Sequence, residues 1–401
     1  MEIQKMLLTN SSNIVGGIIV KIVFASDSFK GTLSSKEIME VLDRKAKQVF
    51  PGVQTVGVPI ADGGEGTIDA VRSVVGGEVR TVQVRNPLGE IIESQYLLMG
   101  ENGALIEMAK ASGITLIPYK EGNALITTSY GTGELIKDAL DNGVRNITIS
   151  IGGSATNDGG IGMLSALGFS FFDKNGILLD PIGKNLHRIY KIDDKNSHPA
   201  IKETKFHVMC DVDNPLLGPN GATYVFGPQK GATKEQIEQL EKGMRNYADQ
   251  IKRFFGYDVA DVKGAGAAGG LGAALMSFCQ AKLQSGIRTI LELIHFDEII
   301  EDAVLIITGE GRVDGQSSRG KVLEGIGSAA KNKHIPVVAI TGGIGSGADT
   351  IYSVGIDSIM VTEDGPMTLK EALQNAHSLV EDAAERMFRM IKVGQNLCTK
   401  R

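Results

Sequence analysis

The segment Ile18-Ile-Val-Lys-Ile-Val-Phe-Ala-Ser-Asp-Ser-Phe-Lys-Gly31 begins with a run that is apolar except for Lys21 and ends in a polar loop. The run Ile18–Ala25 predicts a buried strand, because strands covered on both faces are apolar throughout. Ser34 and Glu37 have the spacing of a capping box, which predicts a helix that extends to about Val49. The first fifty residues therefore predict a strand, a loop and a helix in that order.

The same order is repeated in the next stretch. Gln54–Pro59 predicts a second strand, Ala61-Asp-Gly-Gly-Glu-Gly66 a loop and Thr67–Val75 a helix. Strands that alternate with helices are typical of a doubly wound parallel sheet, which binds ligands at the carboxyl ends of its strands. Five polar side chains are expected at those ends: Asp27, Ser28, Lys30, Asp62 and Glu65.

The pattern changes after Gly76. Glu78–Arg85 and Ile91–Met99 flank a turn and predict an antiparallel hairpin, whereas alternation of strand and helix returns at Ala303. We therefore predict an α/β fold with two domains. Residues 20–77 and 288–401 are expected to form a doubly wound, Rossmann-like domain from both chain ends, and residues 78–287 an inserted mixed α/β domain. Residues 1–19 are interpreted as a non-native or disordered extension, with the true start near Val20.

Composition excludes several classes of function. The chain has 401 residues, a formal net charge of −6 and no basic block, so nucleic acid and anionic membranes are not expected as partners. No apolar run is long enough to span a bilayer. Three scattered cysteines (Cys210, Cys279 and Cys398) form no zinc or disulfide pattern and favour a reducing cytoplasm.

The loop Ile151–Gly160 lies between a predicted strand, Arg145–Ser150, and a predicted short helix, Ile161–Gly168. A strand, a glycine loop and a helix together present backbone N–H groups and a helix N-terminus to an anion. A tight turn capped by Asn or Asp is the alternative interpretation. We expect the loop to bind phosphate through Gly152, Gly153 and Gly159, and substrate or metal through Ser154, Asn157 and Asp158.

Gly264-Ala-Gly-Ala-Ala-Gly269 has the spacing of a dinucleotide-binding loop. The preceding residues Tyr257–Lys263 make a poor strand, so the context disfavours an NAD-dependent dehydrogenase. A helix N-terminus near phosphate is the remaining interpretation. It predicts phosphate contacts from Gly266, Gly269 and Gly270.

Gly315 and Gly320-Lys321 approach the P-loop pattern but lack the Ser or Thr that would hold Mg²⁺. Glycines, a lysine and a helix N-terminus still suit an anion, either a nucleotide phosphate or a substrate carboxylate. The alternative is a capped loop with Arg319 and Lys321 in solvent.

Asp211 and Asp213 lie on the same side of an extended segment, because side chains alternate along a strand. Such a pair can share a divalent ion or position a hydroxyl group, although one of them can instead make a turn ahead of Pro215. Lys230, between glycines, can hold phosphate, and an exposed lysine is its alternative. Glycine loops, strand-end carboxylates and isolated cations are together the set that phosphoryl transfer requires.

Seven motifs, in order along the chain from Val20 to the last helix, closely resemble those of the bacterial-type (type I) glycerate kinases. They are Ser26-Asp-Ser-Phe-Lys-Gly31, Ala61-Asp-Gly-Gly-Glu-Gly66, Thr127-Thr-Ser-Tyr-Gly-Thr-Gly133, Gly152-Gly-Ser-Ala-Thr-Asn-Asp-Gly159, Cys210-Asp-Val-Asp-Asn-Pro-Leu216, Phe226-Gly-Pro-Gln-Lys-Gly-Ala232 and Gly309-Glu-Gly-Arg-Val-Asp314. The resemblance implies ATP-dependent phosphorylation of D-glycerate with Mg²⁺, in the cytoplasm, with 2-phosphoglycerate as the favoured product. A homodimer is also possible.

Under this resemblance we expect roles for the following residues. The expected catalytic residues are Asp158, Asp211, Asp213, Lys230 and Arg312. The expected metal ligands are Asp62, Glu65, Asp211 and Asp213. The expected substrate contacts are Asp27, Lys30, Ser154, Asn157, Glu310 and Lys321. Glu107 and Asp314 are further candidates for contacts with metal or with a hydroxyl group. The alternative function is a small-acid or nucleotide-binding regulator without turnover.

Overall fold

The computed structural model describes residues 20–61, 63–64, 66–120, 123–318 and 320–398. The predicted extension 1–19 and the candidates Asp62, Glu65 and Arg319 lie outside the described residues. The chain divides into two compact units. The first contains the described residues before 63 and from 290 onward, and the second is residues 63–289. The predicted domain boundaries at 77/78 and 287/288 stay predictions.

The strands are, in chain order, β1 (Lys21–Ser26), β2 (Gln54–Gly57), β3 (Glu78–Arg85), β4 (Ile91–Met99), β5 (Gly103–Glu107), β6 (Asn146–Ser150), β7 (Ser170–Phe172), β8 (Lys191–Asp193), β9 (Lys205–Met209), β10 (Lys282–Gln284), β11 (Ala303–Glu310), β12 (Val337–Thr341) and β13 (Ser358–Val361). The α-helices are α1 (Ser35–Val49), α2 (Thr67–Val75), α3 (Ala109–Ser112), α4 (Asn123–Ile126), α5 (Tyr130–Asp141), α6 (Ile161–Ala166), α7 (Ala222–Phe226), α8 (Lys234–Phe255), α9 (Ala267–Phe278), α10 (Gly286–Leu293), α11 (Phe296–Ile299), α12 (Val322–Asn332), α13 (Leu369–Gln374) and α14 (Ala376–Cys398). Short 3₁₀ helices cover Ile114–Leu116, Gly183–Arg188, Pro199–Glu203, Pro228–Lys230 and Ala348–Val354.

The first unit contains a five-stranded sheet with the order β13-β12-β11-β1-β2, and all neighbouring strands are parallel. This confirms the predicted α/β class with parallel strands. From β1 the chain proceeds outward to β2 on one side, and the later strands β11, β12 and β13 extend on the other. The carboxyl ends of β1 and β11 therefore form the topological switch point, where open α/β sheets bind their ligands.

Helices cover both faces of this sheet. On one face α1 and α14 pack together over Phe24, with Ile38, Leu42 and Phe388 buried in the same apolar cluster. The helix α12 contacts β11 and β12 but contributes no side chain to that cluster, so it lies on the opposite face. The predicted capping box begins α1, since the Ser34 amide donates to the Glu37 carboxylate at 2.8 Å.

The second unit contains a six-stranded sheet with the order β10-β9-β6-β5-β4-β3. The strands β10, β9, β6 and β5 are parallel, and β4 and β3 form the predicted antiparallel hairpin. The strands β7 and β8 form a separate antiparallel ribbon. One continuous apolar core joins this sheet to its helices, with Ile147, Tyr247 and Leu271 fully buried.

Two helix boundaries differ from the sequence interpretation. The stretch Ala273–Leu283 is expected to be one helix, but α9 ends at Phe278 and Leu283 pairs with Val208 in the sheet. Gln280 has a positive φ of 51°, which cannot continue a helix.

The second boundary is the start of α5. Residues 127–133 resemble a loop, which predicts a helix that begins at Glu134, but in the structure α5 begins at Tyr130. Its glycines allow close packing: a Cβ on Gly133 would lie 2.3 Å from the Met163 carbonyl oxygen.

Candidate functional site

A cavity of about 580 Å³ lies at the switch point of the first unit. Its lining includes residues at the carboxyl ends of β1 and β11, where the topology predicts a ligand. Five residues that the sequence analysis assigned to substrate binding or catalysis line this one cavity: Asp27, Lys30, Glu310, Arg312 and Lys321. The structure thus brings together side chains that are almost 300 positions apart in the chain.

Backbone hydrogen bonds hold the two strand ends together. The Asp27 amide donates to the Gly309 carbonyl oxygen at 3.0 Å, and the Ser26 hydroxyl donates to the same oxygen at 3.2 Å. The Asp27 carboxylate in turn accepts a hydrogen bond from the Ser28 amide at 2.7 Å. Because both loops start from paired strands, their side chains are presented by the rigid part of the sheet.

Glu310 is a half-buried carboxyl group that lines the cavity. Burial raises the pKa of Glu310, and the neighbouring carboxylates Asp27 and Asp314 raise this pKa further. A hydrogen bond from the Ser317 hydroxyl and the positive charge of Lys321 oppose the rise. A carboxyl group with a raised pKa beside cations is suited to accept a proton from a substrate hydroxyl.

Glycines form part of the cavity wall without being required by the fold. A Cβ on Gly311 would have its nearest neighbour at 3.6 Å, and a Cβ on Gly343 would meet nothing within 4 Å. Neither residue has a positive φ. A larger side chain at either position would occupy cavity space, so these positions keep the backbone open to a ligand. Neither position was predicted as a site residue, although for Gly343 the glycine cluster after β12 was a usable signal.

One part of the remaining cavity wall is apolar, and it was not predicted from the sequence. It consists of Ile344 and of one face of the helical region that begins at Leu369. The side chains Ile344, Leu369 and Leu373 are 54%, 74% and 49% exposed.

In the second unit, the structure places Lys230 against the loop Ile151–Gly160. Its ammonium group donates to the Ser154 hydroxyl at 2.8 Å and to the Thr156 carbonyl oxygen at 2.6 Å. Lys230 is 3% exposed, which excludes the exposed-lysine interpretation. Burial lowers the pKa of Lys230 to about 7, while the nearby Asp158 acts in the opposite direction.

Asp158 is fully buried and serves the local fold. Its carboxylate accepts hydrogen bonds from the Ser129 amide and hydroxyl at 2.7 and 2.8 Å, and from the amides of Gly160 and Gly162 at 3.1 and 3.2 Å. Burial raises the pKa of Asp158, and these donors oppose the rise. The side chain thereby ties the glycine loop to the first turns of α5 and α6. Asn157 is also buried, and its amide nitrogen lies 3.2 Å from the Thr223 hydroxyl.

Most glycines predicted to bind phosphate are instead required for internal packing. A Cβ on Gly266 would lie 2.1 Å from the Pro215 carbonyl oxygen, and one on Gly269 would lie 2.0 Å from that of Thr156. The other buried members of the set are also tightly packed: a Cβ on Gly159 would lie 2.7 Å from the Tyr247 ring, and one on Gly270 would lie 2.8 Å from the Gly159 Cα. Only Gly152 and Gly153 of these glycines are exposed, just after the carboxyl end of β6.

Of the four expected metal ligands, Asp211 and Asp213 belong to the described residues, and they make separate contacts. Among the described residues, no three His, Cys, Asp or Glu side chains are placed to hold a metal ion. Asp213 forms a surface ion pair with Lys263 at 3.0 Å, and Asp211 accepts a hydrogen bond from the Gly286 amide at 2.8 Å. Asp211 follows β9, the sheet neighbour of β6, so it lies at the same sheet edge as Gly152 and Gly153.

Glu107 is buried too, and its carboxylate accepts a hydrogen bond from the Ile68 amide at 2.7 Å. This contact holds the first turn of α2 against the end of β5, which is a structural role.

In the part of the chain that the structure describes, no helix is both long and apolar enough to cross a membrane.

Comparison with known proteins places this geometry in context. A model of the glycerate kinase family matches residues 22–392. The chain is 43% identical to a glycerate kinase of Bacillus subtilis (strain 168), covering 94% of this chain and 99% of the relative. It is also 43% identical to a protein of Escherichia coli (strain K12) named glycerate 2-kinase, over 94% and 99% of the two chains. A crystal structure from Salmonella typhimurium LT2, described as that of a glycerate kinase 2, superposes with a TM-score of 0.84 at 41% identity and covers 94% of this chain and 100% of that chain.

Proposed function

The chain belongs to the glycerate kinase family, and on that basis we propose that it transfers the γ-phosphoryl group of ATP to the 2-hydroxyl group of D-glycerate. The products are 2-phosphoglycerate and ADP, and the hydroxyl proton is released. The printed name of the Escherichia coli relative supports the 2-position, and the seven ordered motifs support the type I subclass. A requirement for ATP and a scattered set of cysteines favour a cytoplasmic location.

The charged cavity of the first unit carries the proposal. D-glycerate is a small anion with two hydroxyl groups, and the cavity combines cations with a carboxyl group of raised pKa. Arg312 would pair with the substrate carboxylate in a bidentate geometry, assisted by Lys30. Glu310, once ionised, would accept a hydrogen bond from the 2-hydroxyl group and take up its proton.

In the second unit, the proposed contacts lie at one edge of its sheet. Gly152, Gly153 and Asp211 lie at neighbouring strand ends and stay proposed contacts for phosphate and Mg²⁺. Lys230 and Asp158 would act indirectly, because their hydrogen bonds hold the loop Ile151–Gly160 in place. Removal of either side chain is therefore expected to disturb the loop before it disturbs the reacting groups.

Mg²⁺ would enter with ATP rather than as a resident ion. Phosphate oxygens and water supply most Mg²⁺ ligands in kinases, and one or two carboxylates complete the set. The described residues fit this requirement, because they hold isolated carboxylates rather than a three-ligand cluster. Asp27 is the proposed ligand in the first unit, since its charge already raises the pKa of Glu310 and a cation would relieve that repulsion. When bound, Mg²⁺ supplies charge neutralisation at the phosphate oxygens.

The test is a coupled assay of ADP release with D-glycerate, with L-glycerate and buffer alone as controls. We expect ADP formation that depends on D-glycerate. Phosphorus NMR of the product distinguishes the two positions: a 2-phosphate couples to one proton and gives a doublet, whereas a 3-phosphate couples to two and gives a triplet. If D-glycerate binds but no ADP forms, the protein is a binding regulator and the proposal fails. A triplet would contradict only the 2-position.

A further inference from the structure

The apolar wall of the first-unit cavity has a helical pattern. Leu369, Ala372 and Leu373 are spaced at i, i+3 and i+4, so they share one face of α13, and they line the cavity together with Ala376, the first residue of α14. A capping box fixes the start of this helix, since the Thr368 amide donates to the Glu371 carboxylate at 2.8 Å. No residue of α13 is buried, so its apolar face lies against the cavity rather than against the core.

D-glycerate leaves this wall without a partner. Each of its three carbon atoms carries oxygen, so the acid presents no apolar surface and is suited to the charged end of the cavity. A volume of about 580 Å³ is also several times what a three-carbon acid fills, and it falls in the range of pockets that enclose much larger ligands. The cavity therefore matches a ligand with both an anionic and an apolar part.

We propose that the nucleobase of ATP packs on Ile344, Leu369 and Leu373, and that its phosphates extend over Gly343 towards Lys321. This inference rests on the proposed function, because the occupant is the co-substrate of the kinase. Ile344 directly follows Gly343, so the apolar wall and the open backbone adjoin along the chain. Lys321 is the N-cap residue of α12, and both a lysine side chain and a helix N-terminus attract phosphate.

The experiment measures equilibrium binding of two probes to the full chain by isothermal titration calorimetry. ADP has the base, and inorganic tripolyphosphate has only the anionic part. The variant is the double substitution Leu369→Ala with Leu373→Ala. The matched control is Lys370→Ala with Gln374→Ala, on α13 at exposed positions that do not line the cavity. Both leucines are largely exposed, so their truncation leaves the core intact, and thermal unfolding followed by circular dichroism verifies this.

The leucine variant is expected to bind ADP roughly ten- to a hundredfold more weakly, with unchanged affinity for tripolyphosphate, and the control should match the wild type for both probes. Unchanged ADP affinity in the leucine variant, or equal loss for both probes, would overturn the proposal. A change in oligomeric state by size exclusion, without a change in ADP affinity, would overturn it as well and identify the wall as a contact between copies. Failure of the proposed function is distinguishable, because it appears as absent turnover while ADP affinity still depends on the leucines.

Discussion

Replacing Lys230 with methionine is expected to remove a pH dependence of stability that the wild type has. Lys230 is 3% exposed, and burial lowers its pKa from 10.5 to about 7. In the unfolded chain the lysine stays protonated up to about pH 10, whereas in the folded protein it loses its proton above about pH 7. Burying Lys230 therefore costs the most free energy at low pH, where the side chain is charged. The free energy of unfolding rises as the pH increases through this window.

The magnitude follows from the two pKa values. A pKa that falls from 10.5 to about 7 corresponds to ~5 kcal/mol in total, at ~1.4 kcal/mol for each tenfold change. Between pH 6 and pH 9 the lysine should contribute a rise of ~3 kcal/mol in the free energy of unfolding. Lys230→Met cannot titrate, so the difference between wild type and variant should grow by this amount over the same range. The other titrating groups are common to both proteins and largely cancel.

Urea unfolding followed by far-ultraviolet circular dichroism is the assay, because the chain contains no tryptophan for fluorescence. Lys263→Met is the matched control, since this lysine is 80% exposed and folding leaves its ammonium group in water. The free energy of unfolding of Lys263→Met should differ from that of the wild type by the same amount at every pH. A constant difference for Lys230→Met would refute the reasoning, because it would mean that the nearby Asp158 keeps the buried ammonium group charged.

Three other outcomes are expected. Gly269→Ala should destabilise the protein by more than ~3 kcal/mol in thermal or urea unfolding, because its φ is +68° and a Cβ would lie 2.0 Å from the Thr156 carbonyl oxygen. The control is Gly394→Ala, in α14 with open space around it, which should be neutral or stabilising. An equal loss of stability in the two variants would contradict the packing argument. Arg312→Ala should lower kcat/KM for D-glycerate by about a hundredfold in steady-state kinetics, mainly through KM; an unchanged KM would exclude carboxylate pairing. Glu310→Gln should remove the acidic limb of the profile of kcat/KM against pH, which burial displaces above the usual glutamate range in the wild type; identical profiles would exclude this base.

Local patterns in the sequence predicted most of the secondary structure. The predicted capping box at Ser34 begins a helix where its spacing indicates. The hairpin of β3 and β4 has the predicted bounds. These features depend on contacts between residues a few positions apart, so the local sequence is sufficient to determine them. The short strand β10 was missed because its pairing with β9, not its own pattern, makes it a strand.

The candidate site was predicted in part. The strand-end charges Asp27 and Lys30 were identified because parallel sheets bind ligands at carboxyl ends, and Arg312 was expected from the family resemblance. All three line one cavity. Gly269 and Asp158 have the residue types of a phosphate or metal site, yet the structure uses them for packing and for internal hydrogen bonds. A glycine that permits close backbone contact and a glycine that admits a ligand are identical in sequence.

The sequence by itself determined the residue types available for chemistry, the order of strands and helices, and the family to which their motifs belong. Only the tertiary structure decided which of those residues face a cavity. Burial is a property of three-dimensional neighbours: Lys230 looks like a surface lysine in its loop, and its partners Ser154 and Thr156 lie over 70 positions away. The apolar face that begins at Leu369 resembles an ordinary core-facing helix, and only the fold leaves it open to the cavity.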